Sequence, residues 1–243
     1  ELYGKETGCA MGKGGSMHLI DLNAGFFAAV PIVGSTIPIA TGVAWAFKMK
    51  KENNICVVFL GDGSTEEGVF FESLDFANLK NIPILFVCEN NKFSVYSNIL
   101  KRQNKKRKIY NLARAIGIKS KKLKDHDLLD VYLNSKKIIE NMRKKNQPYL
   151  IEIDTYRKLE HCGPNFDDNL NYRTKNEVKF WNRNCQVAKY TKKFLKNKIL
   201  SDGDITKTKK KIDTEISNAF RFSNLSKYPS KKNLLKYVYK KEL

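Results

Sequence analysis

Two short words hold the side chains with the most chemical potential: Gly61-Asp62-Gly63-Ser64 and Glu89-Asn90-Asn91. Each follows an apolar run, ICVVFL at 55–60 and ILFVC at 84–88. Asp62 offers a carboxylate oxygen and Asn91 a neutral amide oxygen. Mg2+ takes such hard oxygen ligands, commonly with phosphate oxygens in its shell. The N–H groups of Gly63 and Ser64, on a turn leading toward a helix, are of the kind that cradles a phosphate. A carbonyl just past Asn91, such as that of Phe93, can complete the metal shell. The plain alternative is that Gly-Asp-Gly is an ordinary turn and the asparagines cap a strand. The spacing is neither that of a P-loop, since GxxxxGK[ST] is absent, nor a dinucleotide fingerprint, since GDGSTEEG lacks GxGxxG.

The remaining polar candidates are more ambiguous. His161 lies in a loop with Gly163 and Pro164. An imidazole there either donates to a phosphate and moves a proton near neutrality, or is a solvated loop histidine. His18, beside the glycines of MGKGGSMH, reads as a loop anchor or a substrate contact, and His126 reads as capping chemistry before a helix. Glu66 and Glu67 suit the first turn of a helix, where acidic residues offset the helix dipole. No Ser-His-Asp or Cys-His relation follows from the spacing.

These residues need a scaffold that brings loop ends together. The run 55–60, a helix over Glu66–Leu79 and the run 84–88 make a right-handed βαβ unit. YLIEID at 149–154 reads as a third core strand. In a parallel sheet the strand C-termini share one edge, where ligands bind. Further helices are expected over Thr36–Lys50 (inward face Ile39, Val43, Ala46 and Phe47), Tyr110–Ile116, Asp127–Lys145, Glu177–Leu195 and Ile212–Leu225. The fold class is therefore α/β, a mostly parallel sheet flanked by helices. The expectation is one domain over 1–243, with a helical C-terminal portion from about 175.

The composition narrows the partners. The chain has 243 residues, 45 Lys plus Arg and 25 Asp plus Glu, for a formal charge of +20. Residues 1–100 hold seven basic and ten acidic side chains, so the excess lies after the Gly-rich words. It reads as a solvated face rather than a nucleic-acid surface, since no recognised binding module accompanies it. No run is long and apolar enough to span a membrane, and no signal peptide is visible. Five widely spaced cysteines without a CxxC pair exclude a zinc knuckle or a disulfide scaffold and suit a reducing, cytoplasmic compartment.

Longer words then narrow the reading: LYGKETGCAMGKGGSMHL, PIVGSTIPIATGVAWAFK, VVFLGDGSTEEGVFFESLDFANLKNIPILFVCENNKFSVYS, EIDTYRKLEHCGP and NYRTKNE. Together they resemble the α subunit of thiamine-diphosphate-dependent 2-oxo acid dehydrogenase E1 components, across nearly the whole chain. The resemblance implies a thiamine-diphosphate-binding fold, with Asp62, Asn91 and the Phe93 carbonyl as Mg2+ ligands. It implies diphosphate contacts from Gly63 and Ser64, and an aminopyrimidine contact from Pro31, Ile32 and Val33. Val95 falls where an apolar wedge bends the cofactor, and His161 where a histidine stands near the diphosphate and the active-site mouth.

The same resemblance implies a β subunit in an α2β2 assembly, a small 2-oxo acid substrate and a lipoyl-bearing E2 acceptor. A carboligase or transketolase-like subunit, passing the intermediate to an aldehyde, is the alternative. A basic structural or RNA-binding protein is the non-enzymatic one. Three departures stand out. The family's front segment, with an aromatic-Arg pair for the diphosphate, has no counterpart here. Leu159-Glu160-His161 replaces a His-Gly-His word. No Ser lies between His161 and Arg173, which speaks against kinase control of that loop.

Overall fold

The computed structural model describes residues 1–123, 127–233 and 236. His126 and all of the YVYKK stretch at 237–241 therefore lie outside the described residues. The chain divides into two compact units, Ile32–Tyr190 and the pair Glu1–Pro31 with Thr191–Leu243.

The Ile32–Tyr190 unit is built on four parallel strands. They are β1 (Cys56–Gly61), β2 (Ile84–Asn90), β5 (Lys119–Leu123) and β6 (Tyr149–Asp154), in spatial order β1-β2-β6-β5. Helices α1 (Thr36–Met49) and α2 (Gly68–Lys80) cover one face, and α5 (Leu128–Lys145) packs on the other. Strand β2 has cover on both sides, so its apolar run Ile84–Cys88 is buried throughout. Phe86 and Leu150 meet Phe70 and Leu74 of α2, while Leu85 and Ile151 meet Ile138 and Met142 of α5.

The register fixes the functional edge. Gly61 stands opposite Glu89, and Glu89 opposite Ile153, so three strand ends finish side by side. Helix α4 (Ile109–Ala115) lies near the edge strand β5.

Several expectations need correction. The inward face of α1 is Ile37, Ala40, Thr41 and Ala44, not Ile39, Val43, Ala46 and Phe47; the helix is turned so that its smaller residues approach the sheet. Strand β1 is not buried as a whole. It lies at the edge of the described sheet and alternates, with Val58 and Leu60 buried and Val57 and Phe59 exposed. Residues 62–66 wind as a 3-10 helix and α2 starts at Gly68, so Glu66 and Glu67 do not form an acidic first helical turn. The segment Glu177–Leu195 is two helices, α6 (Lys175–Arg183) and α7 (Gln186–Lys196). Strand β5 was not expected, because KSKKL has only two inward residues, Ser120 and Leu123.

The other unit contains α8, Asp202–Leu225, ten residues longer at its N-terminus than the apolar pattern implies. A capping box extends it: Asp204 N–H donates to Ser201 Oγ at 3.1 Å, and Ser201 N–H donates to Asp204 Oδ2 at 2.9 Å. The glycine-rich loop of this unit folds around one carboxylate. Glu1 accepts N–H bonds from Ala10, Gly12 and Gly14 at 2.8, 3.1 and 2.6 Å.

The layered core carries a prediction. Phe86 is fully buried on the central strand, so Phe86→Ala costs about 3–5 kcal/mol. The exposed Val57→Thr stays within about 0.5 kcal/mol of wild type. Denaturant unfolding of the two variants separates these expectations.

Candidate active site at the strand ends

The first side of the site is the turn after β1. Asp62 is 1% exposed, and its carboxylate accepts from Arg102 Nη2 at 2.5 Å. Arg102 also pairs through Nη1 with Glu66, and Gln103 Nε2 donates to the same Glu66 oxygen at 2.6 Å. A carboxylate so deeply buried requires a charged or hydrogen-bonding partner. The chain supplies it by a short excursion. After Asn91 it forms a hairpin of β3 (Phe93–Ser94) and β4 (Ser97–Asn98), then one helical turn, α3 (Ile99–Arg102). Asn98 caps that turn by accepting the Leu100 N–H at 2.9 Å. Arg102, at its end, returns to Asp62 and donates through Nε to the Ser97 carbonyl at 3.2 Å.

The hairpin also brings the two glycine- and asparagine-bearing words together. A side-chain carbon added at Gly63 would sit 3.0 Å from Ser94 Oγ. A Cβ there would press on the Ser94 side chain, and its absence lets the first turn approach the second closely. Asn91 leads into the hairpin, its Oδ1 accepting the Phe93 N–H at 2.9 Å. Asn90 Nδ2 donates to Glu152 Oε1 at 2.9 Å, while Glu152 Oε2 accepts the Tyr110 N–H at 3.1 Å. Both asparagines shape the turn, Asn90 Oδ1 accepting the Lys92 N–H at 3.0 Å as Asn91 Oδ1 accepts that of Phe93, and Asn90 in addition ties the turn to β6.

Val95 closes the hairpin with φ of 54°. A β-branched residue in this left-handed region is strained, at a cost of about 1–3 kcal/mol, and such strain is concentrated at functional sites. Its side chain is 41% exposed.

The third side is the loop after β6. Arg157 is its hub. Nη2 donates to the Val95 carbonyl at 3.1 Å, to Asp167 Oδ2 at 3.2 Å and to Tyr172 Oη at 3.0 Å, and Nη1 lies 3.4 Å from His161 Nδ1. Asp167 is buried and also pairs with Arg173, and Tyr172 Oη donates to it at 2.7 Å. Burial pushes the Asp167 carboxyl up, but the Tyr172 hydroxyl and the two guanidinium groups outweigh it and hold it below the usual carboxylate range. The Phe93 ring meets Tyr172 edge to face at 5.1 Å. Asn91, Phe93, Tyr156, Arg157, Tyr172 and Arg173 line one small cleft.

The first turn therefore meets the Phe93–Asn98 hairpin where Gly63 approaches Ser94, Asn91 stands just before that hairpin and Val95 within it, and Arg157 links it to His161. Ile32 and Val33, 68% and 58% exposed, belong to the same unit. They precede Gly34, whose backbone lies so close to Glu67 that an added Cβ would be 3.1 Å from its Cγ. Pro31 and His18 fall in the other unit. Five side chains at the site were missed in the sequence: Arg102, Glu152, Asp167, Arg157 and Arg173. Arg157 and Arg173 stand in the repeated word Tyr-Arg, which was a usable signal. Arg102 sits inside the basic stretch KRQNKKRK, where nothing distinguishes it from its solvated neighbours.

The donor set suits a hard cation beside an anion. Among the described residues no three or more His, Cys, Asp or Glu side chains are gathered around one point. An ion at this edge would be held by a mixed oxygen set: Asp62, the Asn91 amide and the Phe93 carbonyl. The Cβ position at Gly63 faces Ser94 Oγ and Arg102 Nη1, so the glycine puts no side chain of its own between the turn and these donors.

The chain is a parallel α/β protein whose polar site lies at the strand ends. It belongs to the dehydrogenase E1 component family, which matches it over residues 1–232. It is 34% identical to the pyruvate dehydrogenase E1 component subunit alpha of Rickettsia bellii, over 98% of this chain and 72% of that one. The mitochondrial pyruvate dehydrogenase E1 alpha subunit of Dictyostelium discoideum is 32% identical over 100% of this chain and 63% of its own. The chloroplastic alpha-3 subunit of Arabidopsis thaliana is 31% identical over 98% and 56%. Among the described residues no helix is long and apolar enough to cross a membrane.

Proposed function

We propose that this chain is the α subunit of a thiamine-diphosphate-dependent 2-oxo acid dehydrogenase E1, decarboxylating a 2-oxo acid and passing the acyl group to lipoyl-lysine. The observation that supports it most is the meeting of the Asp62-Gly63 turn with the Phe93–Asn98 hairpin that follows Asn91, within a family whose relatives are pyruvate dehydrogenase α subunits. Those names do not favour the carboligase alternative. In this reading Asp62, Asn91 and the Phe93 carbonyl hold Mg2+, and the Gly63 and Ser64 N–H groups hold the diphosphate. Pro31, Ile32 and Val33 serve the aminopyrimidine side, and Val95 supplies the apolar wedge. His161, tethered by Arg157, holds or moves a proton at the mouth of the site. Bound thiamine diphosphate supplies the electron sink that lets carboxylate leave as CO2.

The family's general pairing with a β subunit leads us to an α2β2 assembly and a lipoyl-bearing E2 acceptor. Five free cysteines accord with a cytoplasmic, reducing compartment. The test is co-purification with the β subunit, calorimetry with thiamine diphosphate in the presence and absence of Mg2+, and a panel of small 2-oxo acids. The chain alone is expected to be inactive, and the pair to bind cofactor only with the metal and to release CO2. Full turnover by the lone chain, or metal-independent cofactor binding, would overturn the proposal.

A further inference from the structure

We infer that Arg102 couples metal binding to diphosphate binding, so that a bare divalent ion binds weakly and the ion with its diphosphate binds well. The inference rests on the proposed reading of Asp62 as a metal ligand. Arg102 is 13% exposed, and its guanidinium lies between Asp62 and Glu66, both on the 3-10 turn. One guanidinium thus serves two carboxylates, one of them almost completely buried. A divalent ion arriving alone must share the Asp62 carboxylate with Arg102 and stand next to a fixed positive charge. In a partly dehydrated pocket that repulsion is weakly screened.

A diphosphate reverses the balance, since it brings negative charge to the same spot. Arg102 is equipped to receive it. Of its five N–H donors, the contacts to Ser97, Glu66 and Asp62 use three. The remaining two, on Nη1 and Nη2, are available to an anion. Nη1 lies 3.8 Å from the point where a Cβ on Gly63 would stand, beside the backbone N–H expected to bind phosphate. Competition with the bare ion and attraction for the anion then belong to one side chain. Such coupling is reciprocal: whatever factor the diphosphate adds to metal affinity, the metal adds to diphosphate affinity.

The experiment uses the full chain with its β subunit and Mn2+ as a paramagnetic probe, titrated by EPR with and without thiamine diphosphate. Affinities are corrected for Mn2+ complexed by the cofactor in solution. In Arg102→Gln, Mn2+ alone is expected to bind about tenfold tighter, and the enhancement produced by thiamine diphosphate to fall by about tenfold, inside the usual 5–150-fold range of coupling. Arg102→Lys keeps the charge and should keep most of the enhancement. Glu66→Gln leaves Arg102 with Asp62 alone and should weaken binding of bare Mn2+, which provides a second test should Arg102→Gln not fold.

Equal enhancement factors in wild type and Arg102→Gln, or weaker binding of bare Mn2+ by Arg102→Gln, would overturn the coupling role. Adding Asp62→Asn tells the two layers apart. If it abolishes Mn2+ binding while the enhancement factors stay equal, only the role of Arg102 falls. If Mn2+ binding survives it unchanged, the metal-ligand reading falls as well.

Discussion

Asp62→Asn should lower the affinity of the α–β assembly for Mg2+ and thiamine diphosphate by about a hundredfold, equivalent to ~2.7 kcal/mol. The substitution removes the one carboxylate among the proposed ion's protein donors and keeps the side chain's shape. Breaking the buried Asp62–Arg102 pair also costs the fold some stability, a loss that the remaining contacts partly offset. Arg102 keeps Glu66 and the Ser97 carbonyl as partners, and Thr65 Oγ1 still donates to the residue 62 carbonyl at 2.7 Å. Calorimetry should therefore show lost cofactor binding by a variant that still unfolds cooperatively, with a thermal midpoint lowered by the loss of the buried pair. Asn91→Ala is a less clean comparison, because the Asn91 Oδ1 bond to Phe93 N–H also shapes the turn. It should lose cofactor affinity and loosen the hairpin together. Cofactor affinity in Asp62→Asn within twofold of wild type would remove Asp62 from the metal shell.

The sequence made the frame of this site legible because the frame is apolar. ILFVC and YLIEID have no alternation to misread, since helices cover both faces of β2 and β6. The turns that follow them are marked by Gly, Asp and Asn, and so their meeting at one sheet edge could be inferred. Strand β5 shows the limit of this method. Its cross-strand pairing to β6, not its own composition, makes KSKKL a strand. The edge position of β1 was equally hidden: six apolar residues look the same whether one face is covered or two.

The polar half was less readable for a related reason. A buried ion pair joins residues far apart in sequence, 40 positions between Asp62 and Arg102, and no local period records it. Glu66 illustrates the consequence. Helix-dipole compensation accounts for an acidic residue before a helix at little cost, yet the chain uses it to share Arg102 and Gln103 with the site. Asn90 is a similar case: beside Asn91 it looks like a duplicate, and only the position of Glu152 on β6 shows that its amide also ties the turn to that strand.

Asp167→Asn should release the loop that holds His161. The native carboxylate is buried against Arg157, Arg173 and the Tyr172 hydroxyl. Neutralising it leaves two guanidinium groups facing an amide, and breaking a buried pair in this way costs about 3–5 kcal/mol. The loss should be local, because the sheet core makes no use of these contacts. Arg157 would lose a partner that fixes its hold on the Val95 carbonyl and its position by His161. Faster hydrogen exchange and proteolysis across 155–173, with β2 and β6 still protected, is the expected result.

The pH dependence has a definite sign. Because the folded Asp167 carboxyl titrates below its unfolded value of roughly 3.9, its stabilising contribution is complete above that value. It is lost as pH falls through the lower, folded pKa. Wild-type protein should therefore show an acid-induced rise in loop exchange below about pH 4, while Asp167→Asn is already loose at neutral pH and shows no such step. An unchanged exchange rate in the variant at neutral pH would mean that Arg157 and Arg173 are held by the chain without Asp167, and His161 would then owe its position to the backbone of the loop rather than to this buried charge.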